Sequence, residues 1–117
     1  MQDDSREWIT ILATICADGS WVDPAIIFQG KGALRDAWLR DVDPEKHRVF
    51  CTTSSSGWTN NEVGLNWLKQ DFDQRTKAKA RSSYRLLILD GHGSHLTQDF
   101  IDFCDANKIL LHEFPPI

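Results

Sequence analysis

The chain opens with a period of two. From Arg6 to Cys16, Ile9, Ile11, Ala13 and Ile15 alternate with Thr10, Leu12 and Thr14, a β-branched pattern that predicts a strand on a pleated, half-buried surface. Asp18-Gly19 supplies turn chemistry, and the Ile- and Val-rich stretch Trp21 to Phe28 completes a predicted hairpin. Pro24 has no amide to donate, so it belongs at an edge or bulge, and the second strand proper is expected over Ala25 to Gln29. Gly30-Lys31-Gly32 ends it. Ala33 to Arg40 fits a short helix with Leu34 and Trp38 on one face. Asp41 to Ser56 then reads as irregular chain, with a short extended piece at Arg48 to Thr52.

The period changes in the second half. Thr59-Asn60-Asn61-Glu62 is a capping box, in which the Thr hydroxyl accepts the third helical amide and Glu62 reaches back to the cap. It predicts a helix from Asn60 to about Phe72, with Val63, Trp67, Leu68 and Phe72 on one face and Trp67 in the core. Arg85-Leu86-Leu87-Ile88-Leu89-Asp90 is an unbroken apolar run closed by a carboxylate, the pattern of a central, parallel strand buried on both faces. Gly91-His92-Gly93-Ser94-His95 forms its exit loop. Thr97 caps a second helix whose inner face carries Phe100, Ile101, Phe103 and Cys104, and Asn107 suits the left-handed position that ends it. Ile109 to Phe114 is the next strand, stopped by Pro115-Pro116. Strand, helix and strand in about thirty residues make a βαβ unit with parallel strands. The fold class is therefore α/β, a mixed sheet with flanking helices, in three layers if complete.

Composition bounds the function. The 117 residues are 41% hydrophobic and 26% charged, which excludes disorder, collagen and coiled coil and limits the chain to one small domain. No run approaches a membrane span, and the first residues lack the features of a signal peptide, so a soluble intracellular protein is expected. Cys16, Cys51 and Cys104 show neither disulfide nor zinc spacing and read as buried thiols. The net charge of −4 argues mildly against nucleic acid, but residues 69 to 85 carry Lys69, Arg75, Lys77, Lys79, Arg81 and Arg85 against Asp71 and Asp73. That segment is a local +4 in an acidic body. It is either a solvated surface loop or a phosphate-facing strip, the latter through Arg75, Lys77, Lys79 and Arg81.

Asp90 is the focal candidate, because functional groups of open α/β sheets collect beyond the C-terminal ends of the strands. It could equally cap its loop by accepting amide hydrogen bonds. A zinc site from His92 and His95 has a His-x-x-His start but no nearby Cys or third His. Ser94, between Gly93 and His95, does not meet the Gly-x-Ser-x-Gly spacing of a nucleophile elbow. Magnesium-assisted phosphoryl transfer uses hard oxygen donors such as a strand-end Asp, but a two-metal site needs several carboxylates and Asp90 alone cannot hold it.

Taken in order, Arg6-Glu7-Trp8-Ile9-Thr10, Ala17-Asp18-Gly19, Ile26-Ile27-Phe28-Gln29-Gly30-Lys31, Gly57-Trp58-Thr59-Asn60, Leu65-Asn66-Trp67-Leu68, Leu87 to His95, Phe100-Ile101-Asp102-Phe103-Cys104 and Phe114-Pro115-Pro116 resemble the DDE endonuclease domain of pogo-like transposases, the Tigger and centromere protein B related group. The resemblance covers essentially residues 1 to 117. It implies a ribonuclease-H-like mixed sheet, a nuclear protein acting on DNA, and three acids holding Mg2+ or Mn2+, the second mapping onto Asp90. His92, Gly93, Ser94 and His95 match the family's loop around that acid and are expected to support the site.

Against that pattern, the first acid would lie on a strand before Arg6-Glu7-Trp8 and the third beyond Pro115-Pro116, so the expectation is a partial domain with Asp90 as catalytic and metal-binding residue. The strand carrying the first acid is central in the family, between the strands at Arg6 to Cys16 and Arg85 to Asp90. Its lack leaves them to pair with each other, to stay as open edges, or to borrow a strand. Unmet backbone groups cost about 1 to 3 kcal/mol each when buried, so marginal stability or dimerisation through open edges is expected. Three functions fit. One is a transposase-derived fragment that binds nucleic acid without turnover alone; another is an active strand-transfer domain completed by a longer or split product. The third is a repurposed interaction module anchored by some of the five Trp.

Overall fold

The computed structural model describes residues 9–30, 49–54, 61–90 and 96–114. The chain divides into two compact units, Met1–Gly57 and Trp58–Ile117. The helix expected at Ala33 to Arg40, the Thr59 cap and the loop His92, Gly93, Ser94 and His95 lie outside the described residues.

In the first unit, β1 (Ile9–Ile15) and β2 (Trp21–Gln29) pair antiparallel, and β3 (Phe50–Ser54) adds in parallel to β2, in the order β1-β2-β3. The hairpin loop is Ala17, Asp18 and Gly19. Cys16 N–H donates to Ser20 O at 2.9 Å and Gly19 N–H to Cys16 O at 3.1 Å. Gly19 holds φ of +90°, the left-handed position that three-residue hairpin loops require. Asp18 Oδ1 fixes the far side by accepting from Ser20 N at 2.9 Å and Ser20 Oγ at 2.6 Å.

The second strand starts at Trp21, not Ala25. The chain absorbs Pro24 in a bulge: Leu12 faces Ala25, yet Thr14 faces Val22, so β2 has one residue more than β1 across that stretch. The expected position of the proline at a bulge is what is found. The period-two reading of β1 also holds, but its isoleucine side is the exposed one, with Ile11 at 65% and Ile15 at 85%. Alternation distinguishes two faces and does not say which is covered. Val22, Ala25, Ile27 and Phe28 are buried instead.

In the second unit, one continuous helical stretch is made of α1 (Asn61–Trp67), a π-helical turn (Leu68–Phe72) and α2 (Asp73–Ala80). It continues eight residues past the expected end at Phe72, because the basic residues that follow are good helix formers on an exposed face. β4 (Arg85–Asp90) and β5 (Ile109–Phe114) pair in parallel across α3 (Gln98–Ala106), within the expected boundaries. Thr97 caps α3 by accepting Phe100 N–H at 3.2 Å. The helix ends differently from expectation: Asn107 has φ of −116° and its side-chain amide donates to Phe103 O at 2.8 Å, while Lys108 takes the left-handed position at φ 57°.

The core of this unit is Val63, Trp67, Leu68, Phe72, Leu87, Phe100, Cys104 and Ile109. Trp67 is in it, against Phe72 at 5.7 Å between ring centroids. β4 is not buried on both faces. Leu87 is, but Leu86 is 62% and Ile88 50% exposed, because helices cover one side and no described element covers the other. The described strands thus form two small sheets, with β1 and β4 each at an edge and not paired with each other.

Thr97→Ala removes the α3 cap and should cost about 1 kcal/mol, with Thr97→Ser retaining most of it, read as the shift in urea midpoint at constant slope.

Candidate functional site

The basic segment is helical, not a loop. Val63, Trp67 and Asp71, with Gly64, Leu68 and Phe72, form the inward stripe of an α-helix, and the π turn then advances it: Asp73 N–H donates to Leu68 O, five residues back. That step turns Asp73 inward beneath Leu68, where it meets Arg85 at the start of β4. Asp73 Oδ1 lies 2.8 Å from Arg85 Nη1, an ion pair whose angle falls short of a directed hydrogen bond. The guanidinium also donates through Nη1 to Thr76 Oγ1 at 3.1 Å and Asp73 O at 3.4 Å, and through Nη2 to Asn107 O at 2.8 Å. Its face lies 5.9 Å from the Phe72 ring centroid. Thr76 is held in turn, its hydroxyl donating to Phe72 O at 2.7 Å.

A second pair joins buried Asp71 to Arg75, whose Nε donates to Asp71 Oδ1 at 2.9 Å. Both acids and two of the six bases of the segment are therefore internal. Lys69, Lys77, Lys79 and Arg81 carry its +4, all exposed. Of the four residues expected to face phosphate, Lys77, Lys79 and Arg81 are at the surface around the end of α2, whereas Arg75 is committed to Asp71.

Asp90 is at the C-terminal end of β4 and exposed, as the strand pattern requires. Register places it opposite Phe114, on one face with Leu86, Ile88, Leu110 and His112. His112 is the other titratable side chain of β4 and β5 on that face, and packs edge-on against Phe114 at 5.1 Å. Residue alternation in Ile109–Phe114 could have shown this, since Asp90 and His112 both occupy the even-numbered face. Among the described residues, no three His, Cys, Asp or Glu side chains gather as a metal site. Asp90 offers one hard oxygen donor, so these residues do not by themselves fit a bound Mg2+ or Mn2+.

Of the three thiols, only Cys104 is buried as expected; Cys16 and Cys51 are half-buried because their sheet is covered on one side. Burial, then the negative charge of Asp105, pushes Cys104 up to about 11 despite an opposing effect from Arg85, and burial raises Cys51.

Arg85→Ala leaves Asp73 charged and buried, and should cost about 3 to 5 kcal/mol in chemical denaturation. The double replacement Arg85→Met with Asp73→Leu strands no charge and should recover a large part of that loss.

The model of the DDE superfamily endonuclease family matches residues 5–117. Among curated proteins, the chain is 36% identical over 116 residues to one called MFS-type transporter clz9 from Cochliobolus lunatus; the match covers 99% of this chain and 12% of that protein. No solved structure matches. No helix among the described residues is long and apolar enough to cross a membrane. Domains of the matching family generally use divalent metals, and the alignment runs through the β4–α3–β5 unit and its strand-end carboxylate. The chain belongs to the DDE superfamily endonucleases.

Proposed function

We propose that the chain is part of a transposase-type nuclease domain of the pogo-like group that associates with DNA, contributes Asp90 to a divalent-metal site, and has no turnover alone, since no second and third acid join Asp90 among the described residues. The observation that carries this reading is a carboxylate at the C-terminal end of a parallel strand in a chain matched to the family over residues 5–117. His92, Gly93, Ser94 and His95 would support that acid. Lys77, Lys79 and Arg81 supply counterion-releasing charge; Arg75 contributes through the helix it braces. Action on DNA would place the protein in the nucleus. A match spanning 12% of the relative gives no ground for transport by this chain.

Duplex binding should weaken steeply with salt, and the triple replacement of Lys77, Lys79 and Arg81 by Ala should lower the slope of log K against log salt by about 2 to 3. Salt-independent or absent binding rejects the DNA reading. Metal-dependent nicking by the 117-residue chain, abolished in Asp90→Asn, would overturn the absence of turnover.

A second feature supports self-association. Ile9, Ile11, Ile15 and Trp21 in one unit, and Leu86, Ile88, Leu110 and Phe114 in the other, are large apolar side chains left exposed on strands, and β1 and β4 are sheet edges. Sedimentation should show concentration-dependent dimers or larger species. Replacing Ile11 and Ile88 by Lys should shift them towards monomer, and a monomer at every concentration removes this reading.

A further inference from the structure

All three described residues other than glycine with positive φ are in the two turns at the N-terminal end of β4 and β5: Arg81 at 49°, Ser82 at 68° and Lys108 at 57°. The residue after a helix that takes this conformation is usually Gly, which has no Cβ to strain it. Here α2 and α3 both give the position to a long cation. The helix dipole favours a cation near a C-terminus, but Lys77 and Lys79 already supply that in α2 from unstrained positions.

The two turns are tied together. Lys108 Nζ donates to Ser82 O at 3.1 Å and sits 5.8 Å from the ring centroid of Tyr84, and Lys108 O accepts Arg85 N–H at 2.9 Å. Tyr84 is 64% exposed, so the cation rests on an aromatic ring facing solvent. Lys77 is in the last turn of α2, one turn before Arg81. Exposed hydroxyls at Ser82 and Ser83 add groups of the kind that bind phosphate oxygens. Of the exposed acids along α3, Asp99 is in the first turn, towards the other end, Asp102 is mid-helix, and only Asp105 is near Lys108, against the cations Lys77, Arg81 and Lys108.

We infer that this end of the sheet is an anchor for the DNA phosphate backbone, that Lys108 belongs to it, and that it is remote from Asp90. This rests on the DNA reading above. Asp90 is five residue steps along β4 from Arg85, about 17 Å at about 3.3 Å per residue. A duplex following the strand would meet the anchor and the carboxylate roughly five base pairs apart. The basic cluster therefore holds the backbone outside the carboxylate site.

The test is fluorescence anisotropy of the full chain with a labelled duplex of about 20 base pairs, in EDTA, across a salt series. Lys108→Gly removes the cation and suits the left-handed backbone, so its thermal midpoint should equal or exceed that of the parent chain. Its salt slope should fall by about 0.9 and its affinity by somewhat under tenfold at about 0.1 M salt; Lys108→Arg should keep both. Unchanged affinity and slope in Lys108→Gly, with weakened binding in the Lys77, Lys79 and Arg81 triple variant, overturns the inference and leaves the DNA reading standing. No duplex binding by the parent chain overturns both. Competition by poly-glutamate as strong as by DNA of equal charge would make the surface a site for acidic protein, and also overturns it.

Discussion

Taking a guanidinium out of water costs several kcal/mol, and most of the second unit is arranged around meeting that cost at Arg85. Its side chain is nearly buried, and its acceptors come from two separate places: Asp73 and Thr76 on α2, and the carbonyl of Asn107 where α3 ends, while its Nε has no hydrogen-bond partner among the described residues. Together the ties fix α2 and the end of α3 relative to the first residue of β4. The π turn belongs to the same constraint, because without its extra residue Asp73 would leave the inward stripe. A charge placed where a hydrophobic residue would pack more cheaply specifies one arrangement of two helices and a strand. Arg85 is also the first residue of the strand that ends in Asp90, so the network sets the rigid end from which the carboxylate projects.

That anchoring acts on one face of the β4–β5 sheet only. Leu87 and Ile109 pack inward, whereas Leu86, Ile88, Leu110 and Phe114 look outward beside Asp90 and His112. The β1–β2 hairpin shows the same imbalance, with buried Ala25 and Ile27 on one side and exposed Ile9 and Ile11 on the other. Apolar strand faces open to water are unfavourable and invite partners. Both units thus retain the pattern of strands made to be covered twice.

Much of this was legible in the sequence where the signal is local. The Asp18-Gly19 turn, the bulge at Pro24, the Thr97 cap and the limits of β4 and β5 each follow from one or two residues whose chemistry permits little else. What needed the structure is tertiary. An apolar run such as Leu86 to Leu89 says that two layers are wanted, not that both are present. Arg75 and Arg85 read as surface charge beside Lys77 and Lys79, because nothing local marks Asp71 and Asp73 as buried partners. The left-handed residue fell at Lys108 and not at Asn107, whose amide found a carbonyl one turn back. Of the candidate site, the place of Asp90 was legible from the strand pattern, but the division of the basic segment into bracing arginines and exposed lysines was not.

The exposed face and the carboxylate are one surface, and this ties folding to chemistry. Asp90 shares its side of the sheet with four large apolar residues, so whatever covers Leu86, Ile88, Leu110 and Phe114 also takes water away from the acid. In a drier site the attraction between a carboxylate and a cation strengthens, but both groups lose hydration, so the pair gains only when further ligands replace that water. Left uncovered, the same group stays exposed to water. Covering those apolar residues therefore changes the hydration of Asp90 as well as the stability of the sheet. The exposed cations at the opposite end of β4 are under no such constraint, because charge at a wet surface needs no covering layer.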